Sequence, residues 1–172
     1  KNSDLLSYVF FYDFEKKELY NILSSGMAGH GCWVDSKNFI IWARKKMFTQ
    51  KISKINNLFL KRFIKLIRFI GVPNLIRKKI YGDQYIEFNK EIKSTKELNL
   101  EIPMNLSGGH FSFLNKDLMI SDTYHDNNFE SNLFSYNMKD KVLKKIKKFK
   151  CIKEIRNKSY RCDLHPRIVS DK

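Results

Sequence analysis

The strongest constraint on the fold of this chain is an internal repeat built around a histidine. Residues 29–44 read GHGCWVDSKNFIIWAR, residues 108–124 read GGHFSFLNKDLMISDTY, and residues 165–172 read HPRIVSDK. In the first two copies the histidine opens a short apolar run, a polar turn follows at Asp35 or Asn115, and a second apolar run comes after it. Short apolar runs separated by turn residues are typical of β-hairpins. The first two copies therefore each predict a hairpin, and the third predicts the opening strand of another.

A second repeated hairpin alternates with the first. Residues 9–22 (VFFYDFEKKELYNI) align without a gap on residues 133–146 (LFSYNMKDKVLKKI), and more weakly on residues 85–98 (YIEFNKEIKSTKEL). Each copy has an aromatic residue before an Asp or Asn, as in Tyr136-Asn137. Tyr136 follows Phe88 by 48 residues, close to the roughly 40–50 residues of a propeller blade. The alternation predicts an all-β fold, a partial β-propeller of four-stranded antiparallel blades.

The order of the hairpins sets the predicted blade boundaries. We expect residues 1–29 to end one blade, residues 30–109 and 110–160 to form the next two, and residues 161–172 to begin another. One complete blade, one interrupted blade and two partial ones cannot close a ring of six or seven. The sequence therefore predicts a piece of a longer protein, whose further blades would be partners of this one.

The blade at 30–109 is interrupted by a basic segment. Residues 37–82 contain thirteen Lys or Arg and no Asp or Glu. This segment therefore supplies most of the formal charge of +15 that the whole chain carries. Apolar residues recur there at steps of three or four, from Ile52 to Ile70, which predicts a helical insertion at about 47–79. Such a helix can cap its own propeller, lie on an anionic membrane or partner, or bind nucleic acid. No recognised motif supports nucleic acid, and we favour the cap.

Composition bounds the class of protein. The chain is 42% hydrophobic and has three cysteines, with no C-x-x-C pair. The cysteine pattern argues against a disulfide scaffold or a zinc knuckle and favours a reducing compartment. No run approaches the roughly 20 apolar residues of a membrane span, and no signal-peptide pattern opens the chain. We therefore expect a cytoplasmic protein.

The histidine units resemble a known family. GHFSFLNKDLMISDTY and RCDLHPRIVSDK are similar to the WD40-like repeats of TolB-type propellers, in which His-Pro-x-Trp-Ser-Pro-Asp-Gly-Lys is the familiar form. Asp122-Thr123-Tyr124 and Cys162–Arg167 narrow the resemblance to oligogalacturonate-lyase-like propellers. That group includes pectin-fragment lyases and bacterial proteins of cell-surface polysaccharide genes. Departures include Ile168 in place of Trp, and turns that lack the Pro and Gly of the family.

The resemblance implies a metal site. Lyases of this type bind a divalent metal through histidines and a glutamine of neighbouring blades, and abstract a proton alpha to a carboxylate that the metal acidifies. By position, His30, His110 and His165 are the candidate ligands, and neutral imidazole suits Mn or a similar ion. The alternative, which we prefer from sequence, is that each histidine packs at the start of its strand and hydrogen-bonds a backbone carbonyl.

Candidate substrate-binding residues surround the third histidine. Arg167 and Arg161 can bind a sugar carboxylate bidentately, or can instead form salt bridges to Asp163 or Asp122. Tyr124 and Asp122 are candidates for proton transfer or for hydrogen bonds between blades. His125 is expected in an exposed turn. The sequence assigns no catalytic residue.

Two classes of function remain open from the sequence. The first is a non-catalytic β-propeller that binds a carbohydrate, or a protein of a polysaccharide pathway, on one face. The second is a metal-dependent lyase that cleaves uronate oligosaccharides by β-elimination. We prefer the first, because the ligand set within this chain is incomplete. The further blades discriminate between the two classes, because a glutamine and further histidines converging on the same site would favour the lyase. Within this chain, the observation to make is whether the three histidines point at one another.

Overall fold

The computed structural model describes residues 7–24, 26–44, 82–103, 106–126, 128–150 and 163–168. These ranges contain strands and no helix. The strands are β1 (Val9–Asp13), β2 (Glu18–Leu23), β3 (Met27–Trp33), β4 (Asn38–Arg44), β5 (Asp83–Asn89), β6 (Ser94–Leu98), β7 (Phe111–Asn115), β8 (Leu118–Asp122), β9 (Glu130–Asn137) and β10 (Val142–Lys150). The predicted all-β class and the five predicted hairpins are confirmed.

The strands form one hairpin and two four-stranded sheets. β1 and β2 pair by themselves as the N-terminal hairpin, β3–β4–β5–β6 form sheet 1, and β7–β8–β9–β10 form sheet 2. In both sheets every strand lies beside its neighbours in sequence, as in a meander. Sequential antiparallel strands need only short connections, and most connections here are tight turns.

The second repeated hairpin has the same turn in all three copies. The side-chain Oδ1 of Asp13, Asn89 or Asn137 accepts hydrogen bonds from the backbone N–H groups two and three residues later, at 2.9–3.2 Å. The turn then ends on a lysine with positive φ, at Lys17, Lys93 and Lys141 in the three copies. An Asx side chain that mimics a backbone turn explains why each copy needs Asp or Asn at this point.

In each sheet, an equivalent hydrogen bond joins the turn of the first hairpin to the turn of the second. In sheet 1 the Lys90 N–H donates to the Lys37 carbonyl at 2.9 Å, and in sheet 2 the Met138 N–H donates to the Asp117 carbonyl at 2.7 Å. The repeat alignment places Lys90 on Met138. The two sheets are therefore copies of one structure, and not only of one sequence pattern.

The chain divides into two compact units. Unit 1 comprises Lys1–Ala28 and Ala43–Gln84, and unit 2 comprises Gly29–Trp42 and Tyr85–Lys172. The core of unit 2 combines buried side chains of both sheets: Ile40, Trp42 and Tyr85 of sheet 1, Ile102 of the connection, and Phe111, Met119, Phe134 and Tyr136 of sheet 2. Apolar residues at alternate strand positions put one face of each sheet into this core.

Several predictions fall outside the described residues, and one differs from the structure. β4 ends at Arg44 and β5 begins at Asp83, so the basic segment lies between the second and third strands of sheet 1, as expected. Its predicted helix at 47–79 lies outside the described ranges. Residues 163–168 are described without strand structure, so the strand expected at His165 is not found. Pro166 lacks a backbone N–H, which disfavours a ladder at this point.

Within the described ranges, no helix has the length and hydrophobicity that a membrane span requires.

Candidate functional site

Three histidines that are far apart in sequence meet in unit 2. His30 lies in the middle of β3, His110 immediately precedes β7, and His165 lies in the segment 163–168. The ring centroids of His30 and His110 are 3.8 Å apart, and those of His110 and His165 are 3.4 Å apart. We call these three residues the histidine cluster. The rings of the three repeat histidines therefore lie against one another.

Asp122, the last residue of β8, holds the cluster in place. Its carboxylate is fully buried. Oδ1 accepts a hydrogen bond from the backbone N–H of His110 at 2.6 Å, and Oδ2 accepts one from the backbone N–H of His165 at 3.0 Å. His110 Nδ1 lies 3.3 Å from Oδ2. The buried Asp122 carboxylate therefore accepts hydrogen bonds from the backbone just before β7 and from the segment that carries His165. A buried charge requires such partners.

The close approach of Asp122 depends on a glycine. A Cβ added at Gly109 would lie 2.1 Å from the Asp122 carbonyl oxygen and 2.5 Å from its Oδ1. A backbone atom cannot move aside as a flexible side chain can, so only glycine fits before His110. The Gly-His pair of the repeat thus has a local structural reason in this copy.

His165 adopts a less common backbone conformation. Its φ is 46°, in the left-handed region, which costs roughly 1–2 kcal/mol for a residue with a side chain. The hydrogen bond to Asp122 and the contact of Ser112 Oγ with the Pro166 carbonyl, at 3.1 Å, hold the segment against sheet 2. His165 itself is exposed, so one side of the cluster faces solvent.

Tyr124 contacts the histidine cluster through His30. Its hydroxyl lies 2.7 Å from His30 Nε2, and 38% of the residue is exposed. Burial lowers the pKa of His30 below its usual value, and the neighbouring His110 and His165 lower it further, against the opposing effect of Asp122 and Asp163. A neutral His30 offers a lone pair, either to the Tyr124 O–H or to a bound cation.

Three side chains of the site can share a metal ion. The ligand atoms of His110, Asp163 and His165 all lie within 4.8 Å of one another. Two imidazoles and one carboxylate suit Mn, Fe or Zn better than Ca or Mg. A proton on His110 Nδ1, donated towards Asp122, leaves the lone pair on Nε2, which is the second-shell arrangement common to metal-ligating histidines. The residues present therefore fit a divalent transition metal.

No protein-family model matches the chain, and a search of the curated proteins finds no match either.

The resemblance to lyase-like propellers therefore rests on the repeat residues alone, and the site is interpreted from its own geometry. Of the predicted site residues, the structure brings together the histidine cluster and Tyr124. Arg167 is exposed, and the carboxylate contacts of Asp122 described above go to backbone N–H groups and to His110. Arg161 lies outside the described residues.

Asp163 has a role that the sequence does not predict. The sequence offers it only as a salt-bridge partner of arginine, whereas the structure groups it with two histidines. Asp122, a candidate for proton transfer, salt bridges or hydrogen bonds between blades, accepts hydrogen bonds from the backbone N–H groups of His110 and His165. The spacing Asp163-Leu164-His165 is the signal that could have suggested a shared site. His125 was expected to be exposed, but it is half-buried, with Nδ1 2.8 Å from Ser131 Oγ.

Proposed function

We propose that His110, Asp163 and His165 bind a divalent metal ion of the Mn type, and that the protein uses this site on a uronate-containing carbohydrate. The observation that carries the proposal is the grouping of His110, Asp163 and His165 within 4.8 Å. These residues would hold the ion, and Asp122 would orient His110. An ion bound there supplies a Lewis acid that can acidify the proton alpha to a sugar carboxylate.

Side chains around the cluster have the chemistry that such a substrate needs. Tyr124 is partly exposed and hydrogen-bonded to His30, so it can exchange a proton at its hydroxyl with a molecule that enters from solvent. Arg167, two residues after His165, is exposed and can bind a carboxylate bidentately. β-Elimination of a uronate oligosaccharide is the reaction that this set of groups supports best.

A specific observation also favours a second function, a non-catalytic module that binds a carbohydrate or a protein. Asp122 contacts two backbone N–H groups, and His30 contacts the Tyr124 hydroxyl. In this alternative the cluster ties the loop segment 163–168 to sheet 2 and binds no metal. The two functions make opposite predictions for metal content.

The test compares His110→Ala with His125→Ala as a matched control, because His125 is a half-buried histidine outside the cluster. The purified protein is analysed for metal, and its metal-free form is titrated calorimetrically with Mn²⁺. If the site binds metal, His110→Ala abolishes Mn²⁺ binding and His125→Ala does not. If the cluster only packs, wild-type protein binds no Mn²⁺, and His110→Ala lowers the free energy of unfolding by about 1–3 kcal/mol.

The lyase activity is tested separately with saturated and unsaturated digalacturonate. Elimination creates a carbon–carbon double bond conjugated to the carboxylate, which is followed by its ultraviolet absorbance. Mn²⁺ binding without elimination would retain the metal site and exclude the lyase. Elimination that persists in His110→Ala would contradict the proposed role of the cluster.

A further inference from the structure

The N-terminal hairpin carries a row of exposed aromatic side chains. Phe10 is 48% exposed, Tyr12 is 42% exposed and Phe14 is 83% exposed. Tyr8 stacks on Phe10 with ring centroids 6.3 Å apart, and Tyr12 meets Phe14 edge to face at 4.9 Å. Leu19, which pairs with Tyr12 across the hairpin, is 61% exposed. We call Phe10, Tyr12, Phe14 and Leu19 the aromatic face.

The internal repeat shows what such a face does elsewhere in the same chain. The ungapped alignment of residues 9–22 on 133–146 places Phe10 on Phe134, Tyr12 on Tyr136, Phe14 on Met138 and Leu19 on Leu143. Phe134 and Tyr136 are fully buried in the core between the two sheets, and Met138 and Leu143 pack against it. The same positions are thus buried in one copy and exposed in the other.

The copy at residues 85–98 agrees with the copy at residues 133–146. Ile86 and Phe88 of β5 occupy the places of Phe10 and Tyr12, and they are 4% and 1% exposed. Their neighbour Tyr85 lies in the shared core, so Ile86 and Phe88 point to the other side of sheet 1. In both complete sheets, therefore, these positions form a buried face.

In unit 2, Phe134 and Tyr136 of sheet 2 are covered by one surface of sheet 1. Sheet 1 presents Ile40 and Tyr85 to the core that contains Phe134 and Tyr136, and Val34 packs against that core. By the repeat, Val34 corresponds to Leu114, Ile40 to Ile120 and Tyr85 to Leu133. Ile120 and Leu133 alternate with the core residues Met119 and Phe134, so they lie on the side of sheet 2 away from the core. The repeat places Leu114 with them.

The corresponding surface of sheet 2 is partly exposed to solvent. Leu114 is 52% exposed and Val142 is 58% exposed, while Ile120 and Leu133 are half-buried. The pairing of Val142 with Asn137, and of Asn137 with Leu118, places Val142 on the same side of the sheet as Ile120. We call Leu114, Ile120, Leu133 and Val142 the outer face of sheet 2.

We propose that the aromatic face of one copy of this chain docks on the outer face of sheet 2 of a second copy. The docking would reproduce the established packing of sheet 2 on sheet 1, with Phe10 and Tyr12 in the places of Phe134 and Tyr136. The two surfaces are different, so the contact is heterologous and leaves one of each surface free. Exposed aromatic residues with matching apolar partners are the usual anchors of protein interfaces.

The experiment follows the mass of the full chain by sedimentation velocity over a range of concentrations. One variant carries Phe10→Glu and Tyr12→Glu, a second carries Leu114→Glu and Val142→Glu, and the control is Ile92→Glu, an exposed apolar residue outside both faces. Wild-type chain and control should form oligomers that grow with concentration. Each double variant should weaken self-association by at least about tenfold.

The decisive measurement mixes the two double variants. Each retains one intact face, so the mixture should form a heterodimer that does not grow further. A monomeric wild type, or a Leu114/Val142 variant that associates like wild type, would overturn the proposal.

Hydrogen exchange of the wild type is an independent test that needs no variant. High concentration should protect β1 together with β7 and β8, and protection of β1 alone would also overturn it.

Discussion

Cys32 lies on β3 two residues after His30, half-buried, and its side chain packs against the core of unit 2. Burial raises the pKa of its thiol to about 12, because the thiolate loses its hydration in this environment. Only the thiolate reacts with alkylating agents, so Cys32 is chemically protected although it is a free cysteine next to a candidate site.

We expect iodoacetamide to alkylate Cys32 at pH 8 at least about a hundredfold more slowly in the folded chain than in urea, where the pKa returns to about 8.5. The sign follows from the raised pKa: the folded rate should still increase through pH 10, while the unfolded rate levels off. Mass spectrometry of the Cys32 peptide measures both rates. Equal rates in the two states would contradict the buried position.

At the scale of elements, an ion pair joins the two strands that flank the basic segment. Arg44 ends β4 and Asp83 begins β5. The Arg44 Nη2 donates to Asp83 Oδ2 at 2.9 Å, and its Nε donates to Oδ1, so the contact is bidentate. Asp83 is buried. Both residues belong to unit 1.

We expect Arg44→Lys to lower the free energy of unfolding by about 1–3 kcal/mol, because lysine cannot form a bidentate contact and Asp83 stays buried. Lys37 and Glu91 provide the control, since they form an ion pair in which both side chains are half-exposed. Glu91→Gln should change stability by about 0–1 kcal/mol. Urea unfolding measures both. A similar, small effect of the two substitutions would show that the Arg44 pair contributes no more than a surface pair.

At the scale of the molecule, sheets 1 and 2 depend on one core. Phe134 and Tyr136 of β9 lie in the same cluster as Ile40 and Tyr85 of sheet 1. The Tyr136 hydroxyl also accepts the backbone N–H of Glu101, in the connection after β6, at 3.0 Å. A stack of repeats of this kind is stabilised by the interfaces between repeats as much as by each repeat alone.

We expect Phe134→Ala to destabilise unit 2 by about 3–5 kcal/mol, the cost of deleting a fully buried aromatic side chain. Native-state hydrogen exchange should show lower protection in β4 and β5 as well as in β8 and β9. Phe10→Ala changes the exposed counterpart of the same repeat position and serves as the control at concentrations where the chain is monomeric. Loss of protection confined to sheet 2 would mean that the sheets unfold independently.

The hairpins could be predicted from the amino-acid sequence. Their signals are local: apolar runs of strand length, and an Asp or Asn whose side chain folds back on the next N–H groups, as at Asp13, Asn89 and Asn137. Because each turn is built from neighbours in the chain, pattern and turn chemistry were enough to place five hairpins. The repeat also identified His30, His110 and His165 as candidate site residues.

The way in which those residues meet depends on contacts between distant parts of the chain. The role of Asp122 depends on hydrogen bonds to His110 and His165, twelve and forty-three residues away. No local pattern encodes such contacts. Residues 163–168, the described part of the strand expected at His165, are without strand structure for a related reason, since a strand needs a partner as well as a pattern. Phe10 and Phe134 make the same point, because one repeated position is exposed at 48% in one copy and fully buried in the other. Burial is decided by what packs against a residue, and the sequence of a repeat is silent on that.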